Sequence, residues 1–445
     1  MRILQRPVTL DRGAFYDRLL RLGSRPLHVA PQQANRTQAL TQAARPFTAR
    51  PAYSVPTSLQ DASGSPGYPF GVNNLGQIAF YDQCGCTGPF SSNDQSYVIN
   101  GYGPLHLQGP MDTWSIARAL NDVGGVAGQW LYEIIGPPPL AFNITWLHTT
   151  GNAYYSVDYQ GGYDTGDDAL AINNVNVSVG VDPNPARGNT FAAEFAPGKR
   201  IDLLPPKGTT CSGIATGIND SGNIVGTACH RAARFYVTAP ARYLPVGPAN
   251  VESGAAAINQ HGDIVGYAGV GRAGGEAFLY EPGKTIYVPR PHGDAAGPAA
   301  AIAVNANPDV LVNVGSSATH PNGTVFLYKN GQSYDLNALL PANSGWQLVD
   351  GLAMNDHGEV VGEGYYRGTL MPYSSSGANG GVKSAGLACE NFALRLRRYE
   401  RIRLDRRVSI RPFITLTSCA PRDRLLAMPA RRSGRVLEAD RSRRR

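Results

Sequence analysis

The chain has 445 residues, 42% hydrophobic and 16% charged, which excludes a disordered polymer and suffices for one large domain or a few ordinary ones. No window approaches the run of about 18 apolar residues that a membrane-spanning helix needs. The net charge of +7 is unevenly placed: residues 1–50 carry nine Arg against two Asp and residues 390–445 seventeen Arg against six acids, leaving 14 basic and 25 acidic side chains between them, and such an acidic body repels phosphates and restricts any nucleic-acid binding to the ends.

Residues 1–50 read as an irregular basic segment. From Met1 to Arg25 every apolar run is interrupted by Arg or Asp, so no secretory leader is visible; either the protein stays inside the cell or its true start lies upstream. Tyr53–Leu59 (YSVPTSL) follows, and reads as a β-strand without a unit of its own, comparable with Tyr334–Leu340 (YDLNALL).

From Gly71 onwards one pattern recurs: small, apolar, Asn, two variable positions, Gly, variable, apolar, variable, Gly. It occurs as GVNNLGQIAF, ALNDVGGVAG, AINNVNVSVG, GINDSGNIVG, AINQHGDIVG, AVNANPDVLV and AMNDHGEVVG. The turn residues are Asn73 and Gly76, Asn121 and Gly124, Asn173, Asn219 and Gly222, Asn259 and Gly262, Asn305, and Asn355 and Gly358, with a mean Asn-to-Asn spacing of about 47 residues. Asn and Gly tolerate positive φ, so each copy predicts a tight hairpin between two short strands. A third and a fourth apolar run follow in most units, as at Phe191–Phe195 and Arg200–Leu204, or Ala277–Tyr280 and Thr285–Val288. The first two units are looser, with candidates at Tyr97–Ile99 and Leu105–Leu107, then Leu140–Ile144 and Thr145–Leu147.

Four antiparallel strands in that length make a propeller blade, and seven units predict an all-β, seven-bladed β-propeller. A β-solenoid is the rival, but its coils are about half as long. The last unit runs through GTLMPY (Gly368–Tyr373) and lacks a fourth strand. Pairing the N-terminal strand there closes the ring and removes two sheet edges, which puts the domain at residues 51–374. Residues 375–445 are an Arg-rich extension without Lys after Leu394 and without clean periodicity. They read as translation out of frame beyond about Ser374, with a solvated disordered tail and a basic binding tail as the alternatives.

Cys211 and Cys229 flank the turn Asn219–Gly222 almost symmetrically, which makes them a candidate cross-strand disulfide; two free buried thiols are the alternative. Cys84 and Cys86 are too close for easy pairing, and Cys389 and Cys419 lie in the tail. The acidic turns NDSGN, NQHGD and NDHGE offer too few oxygens in one segment for a calcium loop. His261 and His357 occupy equivalent turn positions and read as exposed. Asp164, Asp167 and Asp168 form the densest acidic cluster and read as a solvated loop. Arg is scarce in the repeats, so no carboxylate-binding Arg cluster is expected.

The units resemble the HAF repeat family of extracellular repeat proteins. The resemblance rests on AINQHGDIVGYA with AFLYEPG (Ala257–Gly283), VFLYKNGQSYDLNALLPANSGW (Val325–Trp346) and GWQLVDGLAMNDHGEVVGEG (Gly345–Gly364). The namesake His-Ala-Phe triplet is replaced by EAF at Glu276–Phe278 and TVF at Thr324–Phe326. The resemblance implies a location outside the cell or on its surface, and brings no reaction or catalytic residues. The expectation is a noncatalytic monomer that binds a protein or glycan partner through its loops, without nucleic acid, cofactor or metal. The alternative is a lyase or hydrolase with its site at the central channel.

Overall fold

The computed structural model describes residues 52–60, 67–82, 95–99, 104–106, 115–134, 140–148, 154–156, 168–184, 189–196, 199–270, 275–291, 297–315 and 322–377. The readings of residues 1–50 and of the tail beyond Gly377 lie outside the described residues, as do Cys84, Cys86, Cys389, Cys419, Asp164 and Asp167.

The repeated unit begins with a hairpin whose loop has the same form in six of the seven copies; in the sixth, Pro308 stands at the fourth position and has no N–H to donate. The carbonyl of Asn73 accepts from the Gly76 N–H at 3.0 Å, and the Asn73 N–H donates to the Gln77 carbonyl at 3.0 Å. Gly76 has φ +72°. This is a type I turn followed by one left-handed residue, a common three-residue hairpin connection. The left-handed position falls to Gly in five units and to Asn176 (φ 62°) in the third, because a Cβ is costly there and least so for Asn. The leading Asn has a different role from the one expected of it. None of the seven takes a positive φ; instead its side-chain Oδ1 accepts backbone N–H groups two and four residues ahead, as Asn73 does from Leu75 at 3.1 Å and Gln77 at 2.9 Å. Short polar side chains favour turns for this reason.

Among the described residues the strands form seven four-stranded antiparallel sheets. Strand β1 (Thr57–Ser58) precedes the first full blade, which is β2 (Gly67–Val72), β3 (Ile78–Asp82), β4 (Gln95–Ile99) and β5 (Pro104–His106). Blade 2 is β6 (Ser115–Leu120), β7 (Val126–Ile134), β8 (Leu140–His148) and β9 (Tyr154–Ser156), and blade 3 is β10 (Asp168–Ile172), β11 (Ser178–Asn184), β12 (Asn189–Ala196) and β13 (Lys199–Leu203). Blade 4 comprises β14 (Gly213–Ile218), β15 (Ile224–Ala228), β16 (Arg231–Phe235) and β17 (Arg242–Tyr243). Blade 5 comprises β18 (Glu252–Ile258), β19 (Ile264–Val270), β20 (Glu276–Glu281) and β21 (Lys284–Tyr287). Blade 6 comprises β22 (Ala299–Val304), β23 (Val310–Val314), β24 (Thr324–Lys329) and β25 (Gln332–Asp335), and blade 7 β26 (Trp346–Met354), β27 (Val360–Tyr366) and β28 (Thr369–Ser375). The two runs at Leu140–Ile144 and Thr145–Leu147 are one strand, β8, with the outer strand of that blade further on at β9.

Blade 7 takes its fourth strand from the front of the chain: β1 pairs antiparallel with β28, Thr57 opposite Ser374 and Ser58 opposite Tyr373. Tyr53 adds a bridge to Gly377. The outermost strands are short, down to two residues in β1 and β17, which limits the open edge each blade presents.

The core is divided into layers between blades. Val225, Leu244, Ile264 and Phe278 pack where blades 4 and 5 meet, and Val265, Leu279, Val310 and Phe326 where blades 5 and 6 meet. Leu59, Val72, Ile78 and Val361 join blade 7 to blade 1. The inner strands are neighbours of one another all the way round, β26 with β2 included, so the ring is closed by burial as well as by pairing.

Every inner strand carries a β-bulge at one position, between Pro69 and Gly71, Ala117 and Ala119, Ala169 and Ala171, Ala215 and Gly217, Ala255 and Ala257, Ala301 and Ala303, and Gly351 and Ala353. The bulge accounts for the final Gly of the repeat. At Gly226 a Cβ would overlap the Ile214 carbonyl on the bulged strand, and Gly128, Gly180, Gly266 and Gly362 face equivalent carbonyls. That glycine is required by close approach of two backbones rather than by a turn.

Candidate functional site

The first hairpin turn of every blade lies at one end of the inner strands, and the turn residues meet around the ring axis. All seven leading Asn side chains are buried. A buried amide must find partners, and here the partner is the next blade. The Nδ2 of Asn73 donates to the Asn121 carbonyl at 2.9 Å, Asn121 to Asn173 at 2.8 Å and Asn173 to Asn219 at 3.3 Å. Asn219 donates to Asn259 at 3.0 Å, Asn259 to Asn305 at 2.9 Å, and Asn355 to Asn73 at 2.9 Å. Blade 6 departs from the pattern: the Asn305 Nδ2 turns to Asp309 at 3.3 Å, and Lys329 pairs with the same carboxylate.

The next residue builds a second circuit. The Asn74 N–H donates to Asp122 at 2.7 Å, the Asp122 N–H to Asn174 at 2.8 Å, the Asn174 N–H to Asp220 at 2.7 Å and the Asp220 N–H to Gln260 at 2.9 Å. The Ala306 N–H donates to Asp356 at 2.7 Å and the Asp356 N–H to Asn74 at 2.8 Å. The gap falls before Ala306, which has no side-chain acceptor. The carboxylates of Asp122, Asp220 and Asp356 thus accept N–H groups of neighbouring blades. Among the described residues no group of three or more His, Cys, Asp or Glu is placed to share a metal ion. His261 and His357 are exposed tips of their turns.

Two deeper polar contacts cross blade boundaries. Arg118 of β6 and Asp168 of β10 are each 1% exposed and paired at 3.1 Å, with the guanidinium 5.2 Å from the Phe70 ring centroid in blade 1. Asp168 is therefore not a solvated loop residue: it begins a strand, and burial beside Arg118 fixes its place. Between blades 6 and 7 the Asn313 amide donates to the Asp350 carboxylate and to the Gly351 carbonyl, while the Gly351 N–H donates back to Asn313 Oδ1 at 2.9 Å. Burial pushes the Asp350 carboxyl up to about 8, the nearby Glu363 adds to the shift, and the Gly351 N–H opposes it. The same causes operate in part at Glu359, which burial also raises.

At the opposite end of the strands, Cys211 and Cys229 are joined in a disulfide with Cα atoms 5.2 Å apart. Cys229 and His230 form the two-residue connection between β15 and β16, with φ of 49° and 61°, the pattern of a type I′ turn. The disulfide ties this turn to the segment entering β14.

The inner-strand ring and its four-stranded sheets define a β-propeller. No family model matches the chain, and no curated protein matches it. Among solved structures it is similar to one described as YCF48 bound to D1 peptide, at 10% identity and TM-score 0.41 over 72% of this chain and 96% of that one. It is also similar to the tricorn protease, at 11% identity and TM-score 0.25 over 73% of this chain and 35% of that one.

Proposed function

We propose that the protein is a noncatalytic propeller of the HAF repeat type, secreted or displayed on the cell surface, which binds a protein or glycan partner through the loops at the end of the ring opposite the Asn turns. The observation that carries this reading is the contrast between the two ends. The connection from first to second strand is five residues in all seven blades, whereas that from second to third ranges from two residues (229–230) to twelve (83–94). A constant, hydrogen-bonded end serves as scaffold, and loops of unequal length on a rigid frame are where recognition resides. The disulfide Cys211–Cys229 supports an oxidising compartment, in keeping with an exported protein.

The test is a glycan-array and surface-protein cross-linking screen with the full chain, followed by hydrogen exchange on any complex. Protection is expected at residues 209–212, 229–230 and 244–251. Turnover of a bound glycan or peptide, or protection confined to the Asn turns, overturns the reading.

A further inference from the structure

The tips of the Asn turns differ round the ring in a way that the hydrogen-bonded circuits do not require. Leu75, Val123 and Val175 occupy the same repeat position in blades 1, 2 and 3 and are 63%, 49% and 65% exposed. Blades 4 to 7 place Ser221, His261, Asn307 and His357 there. Three successive large apolar tips at one repeat position leave surface that burial against a partner would stabilise.

Carboxylates at the neighbouring repeat position lie within this arc and on either side of it. Asp122 sits in the middle of the arc, with Asp356 of blade 7 at one end and Asp220 of blade 4 at the other. These carboxylates accept neutral N–H groups from Asn74, Asn174 and Ala306, and among the described residues none is paired with Lys or Arg. The last turn position carries carboxyls in blades 5, 6 and 7, where Asp263 and Asp309 are buried, Lys329 pairs with Asp309, and Glu359 is half-buried beside Asn355. Blades 5 and 6 put Gln260 and Ala306 at the position of Asp122, Asp220 and Asp356, so these three carboxylates fall in the middle of the arc and on the two blades that border it.

We propose that the Leu75–Val123–Val175 arc, with Asp122, Asp220 and Asp356, is a docking surface for a polypeptide segment in which apolar residues alternate with Arg or Lys. The apolar side chains cover the three tips, and the cations lie over carboxylates whose negative charge is otherwise uncompensated. The tips are aliphatic rather than aromatic, and the carboxylates repel phosphate, which disfavours nucleic acid and anionic lipid. This surface is at the other end of the ring from the loops assigned above, so the two readings stand or fall separately.

The test is fluorescence anisotropy of the full chain with a labelled short peptide alternating leucine and arginine. Two triple variants discriminate. Leu75→Ser with Val123→Ser and Val175→Ser alters exposed positions only. Asp122→Asn with Asp220→Asn and Asp356→Asn keeps an oxygen acceptor for each main-chain N–H, as Asn74 and Asn174 already provide in blades 1 and 3, and gives up the bonds from the Asn74 and Asn174 side-chain amides. Each is expected to weaken binding about tenfold or more, equivalent to about 1.4 kcal/mol, and the second to flatten the dependence on salt. Asn307→Ser, in the opposite sector, leaves binding unchanged. Failure of the wild-type chain to bind, equal binding by either triple variant, or equal binding of a peptide with serine in place of leucine overturns the proposal.

Discussion

Asn355 donates from its Nδ2 to the main-chain oxygen of Asn73 at 2.9 Å, across 282 positions of sequence. The bond belongs to the seam where blade 7 meets blade 1, and Asn355 also accepts from His357 and Glu359 at 3.1 and 2.9 Å. Truncation leaves the His357 and Glu359 N–H groups without partners and removes one of the two bonds to the Asn73 carbonyl. Asn355→Ala is expected to cost about 2–3 kcal/mol, read as a lower urea midpoint with an unchanged slope.

Gly222 and Gly226 separate the two reasons for glycine in the repeat. At Gly222 a Cβ meets nothing, and only its φ of +73° penalises a side chain, so Gly222→Ala is expected to cost about 1–2 kcal/mol. At Gly226 the Cβ collides with the Ile214 carbonyl and the Ala215 backbone. Gly226→Ala is expected to cost about 3 kcal/mol or to prevent soluble expression. Equal effects in chemical denaturation would refute the assignment of Gly226 to close backbone approach.

Asp350 makes stability fall with rising pH. Its folded-state pKa lies near 8 against an ordinary 3.8, so between about pH 4 and pH 8 the folded state holds a proton that the unfolded state has released, and folding weakens steadily across that window. Asp350→Asn keeps an acceptor for Asn313 and removes the titration. The variant is expected to be more stable than the parent above about pH 8 and to lose that advantage towards pH 4, checked by thermal unfolding at a series of pH values.

The disulfide closes a loop with a separation of 18 residues. Cys211→Ser with Cys229→Ser, or reduction of the parent, is expected to lower stability by about 2–4 kcal/mol while circular dichroism keeps its β signature. The interblade layers hold the ring without it.

Much of this architecture was legible from residue types and their spacing. Asn and Gly at a period near a blade's length marked the hairpins, and the missing fourth strand after Tyr373 pointed to Tyr53–Leu59 as its replacement. What escaped was interaction across blades. Asn73 and its equivalents looked like residues chosen for φ, because a donor that reaches the next copy about 47 positions away leaves no local trace. Asp168 looked like part of an acidic loop because its partner Arg118 stands in another blade. The terminal Gly at 128, 180, 226, 266 and 362 is explained only by a bulge on the facing strand. The docking arc was written in Leu75, Val123 and Val175 as apolar residues at a turn position, a signal visible once the copies are aligned on their Asn.

With Tyr53 bridged to Gly377, the two ends of the disc emerge side by side. A short linker can therefore join them, and new termini can be opened at a connection between blades, giving circular permutants that keep every interblade layer. The same adjacency suits the disc to insertion within a host polypeptide, since a guest whose ends coincide disturbs its host's path little.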